Sequence, residues 1–158
     1  MAAIEFALIG PILIFLLFGS IQIFELIKTK QNAEKATFTI SDIVSRQTSV
    51  DTAFLNQMNL VFARLVSGTS TNKQIRISSI TKAGGKFTVA WSYPVAVALV
   101  TEKIPLEVIP DIADGDSVIL TETVAPHDSI ISMVPIAGTT FTHVAVTRPR
   151  FVSAIARN

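Results

Sequence analysis

Cysteine is absent from this 158-residue chain, which excludes disulfides, thiol catalysis and cysteine-ligated zinc. Charge is scarce: 16% of residues are Asp, Glu, Lys or Arg, and 13 basic residues against 12 acidic ones leave a net charge of +1. No Lys/Arg cluster is present, so there is no electrostatic footprint for nucleic acid and none for a strongly acidic partner. No Gly-x-Ser-x-Gly elbow occurs, and no repeat or low-complexity tract divides the chain. The N-terminus also lacks the basic stretch of a secretory signal. Glu5 stands where Lys or Arg would be expected.

Apolar surface is what the chain has in excess, at 49% of residues. Phe6 to Phe24 is a run of 19 residues without a charge. At about 1.5 Å per residue, a helix of that length crosses a hydrocarbon core of about 30 Å with little to spare. Glu5 sits at its lip, where an ionised carboxylate costs roughly 2.5–3.5 kcal/mol on insertion scales. The first basic side chain is Lys28, so the nearest positive charge for Glu5 is an α-ammonium, on its own chain or a neighbour's. The simpler alternative is that Glu5 only complements the helix macrodipole. Pro11 lacks an N–H and predicts a kink through the lost bond to Ala7. Gly10 and Gly19 would let neighbouring helices approach closely.

The segment Met1-Ala-Ala-Ile-Glu5-Phe6-Ala-Leu-Ile-Gly10-Pro11 resembles the processed start of TadE/TadF-like minor pseudopilins of the tight-adherence (Flp, type IVb-like) pilus system. The resemblance is specific over residues 1–27. In that family a prepilin peptidase cuts after a Gly, and Glu-Phe or Glu-Tyr follows at mature positions five and six. The resemblance therefore implies that Met1 is the mature first residue and that Met1, Glu5 and Phe6 form the assembly terminus, with Glu5 pairing to the α-ammonium of a subunit already in the bundle. N-methylation of Met1, as in the family, would preserve its charge. Lys28, Lys30 and Lys35 follow the span, which by the positive-inside rule would put that side in the cytoplasm. Loss of a basic leader by processing restores the pilin orientation, with the C-terminal part outside.

Beyond the span, Glu25–Arg46 keeps helical spacing through Leu26, Ala33, Ala36, Phe38, Ile40, Ile43 and Val44, with local weakness at Phe38–Ile40. A second helix is expected over 51–67, capped by Ser49 or Asp51 and stopped at Gly68. Its expected stripe is Phe54, Met58, Val61 and Leu65, with Leu55 and Phe62 beside it. Strands follow at 74–81, with a slip at Ile80 suggesting a bulge, and at 86–93, with Phe87, Val89, Trp91 and Tyr93 on one face. Further strands are read at 117–124 and 139–147, the last with Phe141, His143 and Ala145 facing one way and Val144 and Val146 the other. Residues 95–106 read equally as short helix or loop. The expected fold is α+β and pilin-like: a long N-terminal helix, membrane-embedded and then amphipathic, packed on a small antiparallel sheet with one additional helix. The expected division is 1–27 as the transmembrane half-helix, 28–48 as its soluble half and 49–158 as a globular domain.

Other candidate sites have simpler readings. Asp111, Asp114, Asp116 and Glu122 offer hard oxygen ligands for calcium, but with Gly115 at loop position six the EF-hand pattern fails at Pro110 and Thr121. A solvated turn before a strand accounts for them. His127-Asp128-Ser129 is a turn or cap rather than a catalytic set, since triad partners converge in space rather than in sequence. His143 reads as a half-buried packing residue, and a His127/His143 metal pair has no supporting spacing. Trp91, Tyr93 and Phe87 suit a core or subunit interface, or alternatively an aromatic ligand platform.

The sequence thus points to a non-enzymatic protein without a cofactor. By resemblance it is a minor pseudopilin that sits single-pass in a bacterial inner membrane, its C-terminal domain periplasmic, and enters the pilus through its N-terminal helix to prime or cap it. Implied partners are other pseudopilins, the major pilin, the prepilin peptidase and the assembly platform. The competing readings are a pilus-tip adhesin, using segments 94–116 and 125–138, and an unrelated single-pass anchored domain.

Overall fold

The computed structural model describes residues 2–66, 72–94, 103–127 and 138–158. Helix α1 (Ala2–Ser45) is followed by strand β1 (Ser49–Val50), helix α2 (Thr52–Leu65), strands β2 (Gln74–Ala83) and β3 (Lys86–Pro94), a 3-10 turn (Leu106–Val108), and strands β4 (Ser117–His127), β5 (Thr139–Thr147) and β6 (Ala156–Arg157). The architecture is α+β, with β3-β2-β4-β5 forming an antiparallel sheet and β1 pairing with β6 in parallel.

α1 runs unbroken through Pro11 and through the weak formers Phe38–Ile40. Its sheet-proximal part is held by burial of Ala33, Ala36, Ile40 and Val44, an i, i+3, i+7, i+11 stripe. Phe38 is not part of that stripe and is exposed. The helix ends where Arg150 N–H donates to Ser45 C=O at 2.9 Å, filling one orphan carbonyl of the last turn. Asp42 fastens the same end, accepting from Arg46 at 2.8 Å and from Arg150 at 2.5 Å.

Asp51 caps α2: its Oδ1 accepts from Phe54 N–H at 2.7 Å. The buried face of the helix is offset around its axis from the expected stripe. Leu55, Met58 and Phe62 are its buried residues, followed by Val66, whereas Leu65 is exposed and Phe54 and Val61 are half-buried. The i, i+3, i+7 set faces the sheet, so the second apolar row seen in the sequence is the inner one. Lys73 Nζ donates to Ala63 C=O at 3.0 Å and to Val66 C=O at 2.7 Å, a cation on the negative end of the helix dipole. Gly68, the expected stop, lies outside the described residues.

Gly84 and Gly85 join β2 to β3 with φ of 58° and 75°, the doubly left-handed turn whose twist matches a tight hairpin. The β2–β3 register shifts between Ser79 and Ile80, where the slip was expected, but the extra residue is on the partner strand. β2 pairs without interruption to β4 through Ser79 and Ile80, so β2 is regular. On the other side Ser79 opposes Trp91 while Ile80 opposes Val89, which makes Ala90 of β3 the extra residue. Phe87 and Val89 therefore share a face with Ile80, while Trp91 and Tyr93 share the opposite face with Ile77. The four aromatic and apolar residues of β3 are split rather than gathered on one face.

That split matches two apolar clusters. Trp91 and Tyr93 pack with the cluster between the helices and the sheet, which includes Ile40, Leu55, Phe62, Ile75, Ile77 and Ile119. Phe87 packs on the other side with Ile80, Val118 and Leu120, where Ile104, Leu106, Ile109 and Ile112 lie across the sheet. The described part of the irregular segment 94–116 is thus a cover for the outer sheet face, not a free loop.

Candidate functional site

The site is the N-terminal part of α1, marked by the exposure of its large apolar side chains. Phe6, Leu8, Ile9, Ile12, Leu13, Ile14, Phe15, Leu16, Leu17, Ile21, Ile23 and Phe24 are all exposed. Apolar side chains therefore project on every side of the helix, unlike an amphipathic helix lying on a core. α1 is long and apolar enough to cross a membrane. Ser20 does not interrupt the run, because its hydroxyl donates to Leu17 C=O at 2.8 Å. The first charged side chains after the run are Glu25 and Lys28, 3.5 Å apart.

Glu5 stands in the first turn of α1 and is exposed. Among the described residues it has no ion-pair partner, and Met1, its expected counterpart, lies outside them. Phe6 beside it is 76% exposed. Gly10 and Gly19 open onto space: a methyl group at Gly19 would meet nothing within 4 Å, and at Gly10 only the Phe6 ring at 3.9 Å. Pro11 sits in the helix with Ala7 C=O deprived of its usual donor.

The sheet meets α1 along a seam of hydroxyls. Thr29 Oγ1 lies 3.2 Å from His127 Nδ1, Thr37 Oγ1 lies 2.6 Å from Thr123 Oγ1, and Ser41 hydrogen-bonds Thr147. Thr29 and Thr37 also donate to Glu25 and Ala33 carbonyls at 2.9 and 2.7 Å. Sequence reasoning passed over these residues because it tracked apolar periodicity. Their only signal was small polar side chains at 29, 37, 41 and 45, next to the apolar row.

The four candidate calcium ligands do not converge. Lys82 holds Asp111 at 2.5 Å, and its hydrogen bond keeps the Asp111 carboxyl below the usual range. Asp114 accepts from Gly85 N–H at 3.1 Å, Asp116 pairs with Arg148 at 3.1 Å, and Glu122 lies on the sheet. Among the described residues no three His, Asp or Glu side chains gather as a metal group. His127 ends β4, extending the strand three residues past its expected end, and is buried. It opposes Thr139, while His143 opposes Thr123. The two rings are thus separated by four strand residues, about 13 Å along the sheet. Asp128 and Ser129 lie outside the described residues.

Sequence reasoning also missed Arg76–Glu122. The guanidinium donates twice to the carboxylate, at 2.6 and 2.7 Å, and the two side chains are 2% and 9% exposed. They oppose each other across β2 and β4, on the face away from α1, and Arg76 also reaches Lys103 C=O at 3.4 Å. This is a structural lock rather than a reactive pair.

The model of the family described as TadE-like protein matches residues 1–40. No curated protein and no solved structure matches the chain. The matched stretch contains Glu5, the whole exposed apolar run and the start of the hydroxyl seam, and stops short of α2 and the sheet.

Proposed function

We propose that this chain, TadE-like over its first 40 residues, is a minor pseudopilin that takes part in assembling a Tad/Flp-type pilus. The observation that carries the reading is an apolar helical run, its large apolar side chains exposed and headed by one carboxylate, inside the matched region. Residues 1–27 would be the membrane span, 28–48 the soluble half of the helix and 49–158 the globular part, outside the inner membrane on its periplasmic face. Gly10 and Pro11 would form a kink, and sister pseudopilins and the major pilin would pack against the run. The protein acts by pairing and packing, not by catalysis.

Glu5 would select register. In a helix bundle of low dielectric, a carboxylate and the α-ammonium of an adjacent subunit stabilise only the alignment that brings them together, because either charge left alone is costly. Piliation of cells carrying Glu5→Ala tests this. The substitution eases membrane insertion by removing a charge at the span's edge, yet pili should be lost or sharply reduced while the protein accumulates normally. Wild-type piliation would refute the reading.

A further inference from the structure

The globular part meets α1 at a depth measured against the uncharged run. Gln22 is 0% exposed, whereas Ile21, Ile23 and Phe24 around it are exposed. Gln22 lies inside the run, which ends at Phe24. From there the covered stripe of α1 is continuous. Glu25 and Leu26 are half-buried, and Thr29 and Ala33 are buried, an i, i+3, i+4, i+7, i+11 series on one face. A domain held clear of the membrane would instead leave a bare turn of helix above the run.

The sheet arrives at the same level. Thr29 Oγ1 lies 3.2 Å from His127 Nδ1, at the end of β4. Thr29 is five residues past Phe24, about 7.5 Å along a helix axis. The headgroup layer on each side of a bilayer is itself about 5–7.5 Å deep, half the difference between a core of about 30 Å and a total of about 40–45 Å. Thr139 opposes His127, so β5 begins where β4 ends. Ser41 hydrogen-bonds Thr147, so β5 then climbs away from the run. Thr140 and Thr142 near its start are exposed, as are Lys28 and Lys30 on α1.

We propose that this end of the sheet, with Thr140 beside Lys28 and Lys30, is seated in the phospholipid headgroup layer, a second membrane contact besides the span. The proposal rests on the membrane reading above. The groups at this level suit headgroup phosphates and not acyl chains: threonine hydroxyls donate to phosphate oxygens, and lysine ammoniums are drawn to an anionic surface. Glu25, the carboxylate nearest them on α1, is paired with Lys28 at 3.5 Å. The seat also has a consequence for the other end of the span. A 19-residue run matches the hydrocarbon thickness with little slack. Fixing the depth of α1 at Thr29 therefore fixes Glu5 at the opposite boundary, where a neighbouring α-ammonium would meet it.

The test uses the full chain in vesicles of phosphatidylethanolamine and phosphatidylglycerol. The chain has no cysteine, so a single substitution carries a single thiol-linked fluorophore. Thr140→Cys and Thr142→Cys report on the seat, and Leu13→Cys reports on the span. Phe151→Cys reports on the distal end, since Arg150 N–H bonds Ser45 C=O, about 31 Å along the helix from Phe24. The vesicles carry a nitroxide either on the lipid headgroup or at the middle of the acyl chain. With the headgroup nitroxide, Thr140→Cys should lose most of its fluorescence, Thr142→Cys somewhat less, and Phe151→Cys should keep its own. The acyl-chain nitroxide should quench Leu13→Cys alone. If Thr140→Cys lowers the melting temperature, Thr142→Cys against Phe151→Cys decides the same question. Equal quenching at the seat and at Phe151→Cys, with Leu13→Cys quenched, overturns the seat and leaves the span. An unquenched Leu13→Cys removes the membrane reading beneath it.

Discussion

Val89 and Trp91 are two residues apart in one strand and face opposite sides of the sheet. Ordinary pleating would put them on the same side. The unpaired Ala90 between them reverses the alternation, so Val89 lies with Ile80 and Trp91 lies beside Ser79, facing the helices. Trp91 then reaches the C-terminal segment, donating from Nε1 to Ile155 C=O at 2.8 Å. Arg157 stacks over the Tyr93 ring at 4.9 Å. One bulge thus serves both apolar clusters from a single strand and ties the last residues of the chain to the sheet.

Deleting Ala90 should destroy that arrangement. A regular β3 would have to turn either Trp91 and Tyr93 or Phe87 out of the cluster they now fill. The expected loss approaches that of truncating a core tryptophan, about 3–5 kcal/mol. Denaturant unfolding of the full chain in detergent, followed by Trp91 fluorescence, measures it. A midpoint equal to wild type would show that the bulge is dispensable.

The contrast between what was legible and what was not is physical. α1, the cap at Asp51 and the bounds of β5 could be read because each is encoded within a few residues: an uncharged run, a side chain three residues before the N–H it accepts from, a strict alternation. Ile80 looked like a slip because an alternating strand with one buried face should place apolar residues on one side only. Here both faces of β2 are covered, so Ile77 and Ile80 are each correct for opposite clusters. A bulge is a relation between two strands, and its strand can be assigned only once the partner's register is known. Arg76 and Glu122 are 46 positions apart, and no local pattern joins them. Glu5 lay at the other extreme. An isolated carboxylate beside an apolar run is a local anomaly that stands out in the sequence itself.

His143 gives a pH dependence with a definite sign. Burial holds its pKa below the usual value; Glu34 of α1 pulls it up and Lys30 of α1 pushes it down, with burial the largest influence. The unfolded chain, with a histidine pKa of about 6.5, therefore takes up the proton before the folded one does. Stability contributed by neutral His143 is fully present above that value. It declines as pH falls through 6.5 and levels off below the folded pKa. Unfolding free energies at pH 7.5 and 5.5 should differ more in wild type than in His143→Gln. Every other group is common to both proteins, so the difference between them isolates His143. Equal slopes would refute the assignment.

Arg76 and Glu122 make the last prediction. Two buried charges stabilise each other only while both are present. Arg76→Met leaves the Glu122 carboxylate without its two donors, and Glu122→Leu leaves a guanidinium under the segment that carries Lys103. Each single substitution should cost about 3–5 kcal/mol, the range for orphaning one member of a buried pair. The double substitution puts two apolar side chains beside Leu120 and Val118 on a face that is already apolar. It should recover most of that loss and is free to match or exceed wild type, since the desolvation of both charges disappears with them. A double-mutant cycle on the full chain, read by denaturant unfolding, gives the coupling directly. A coupling near zero would mean that the two side chains are solvated independently and that the segment over the outer face is not locked. A large coupling with a destabilised double variant would instead show that the pair, through Arg76 and the Lys103 carbonyl, holds the cover in a position that apolar packing alone does not specify.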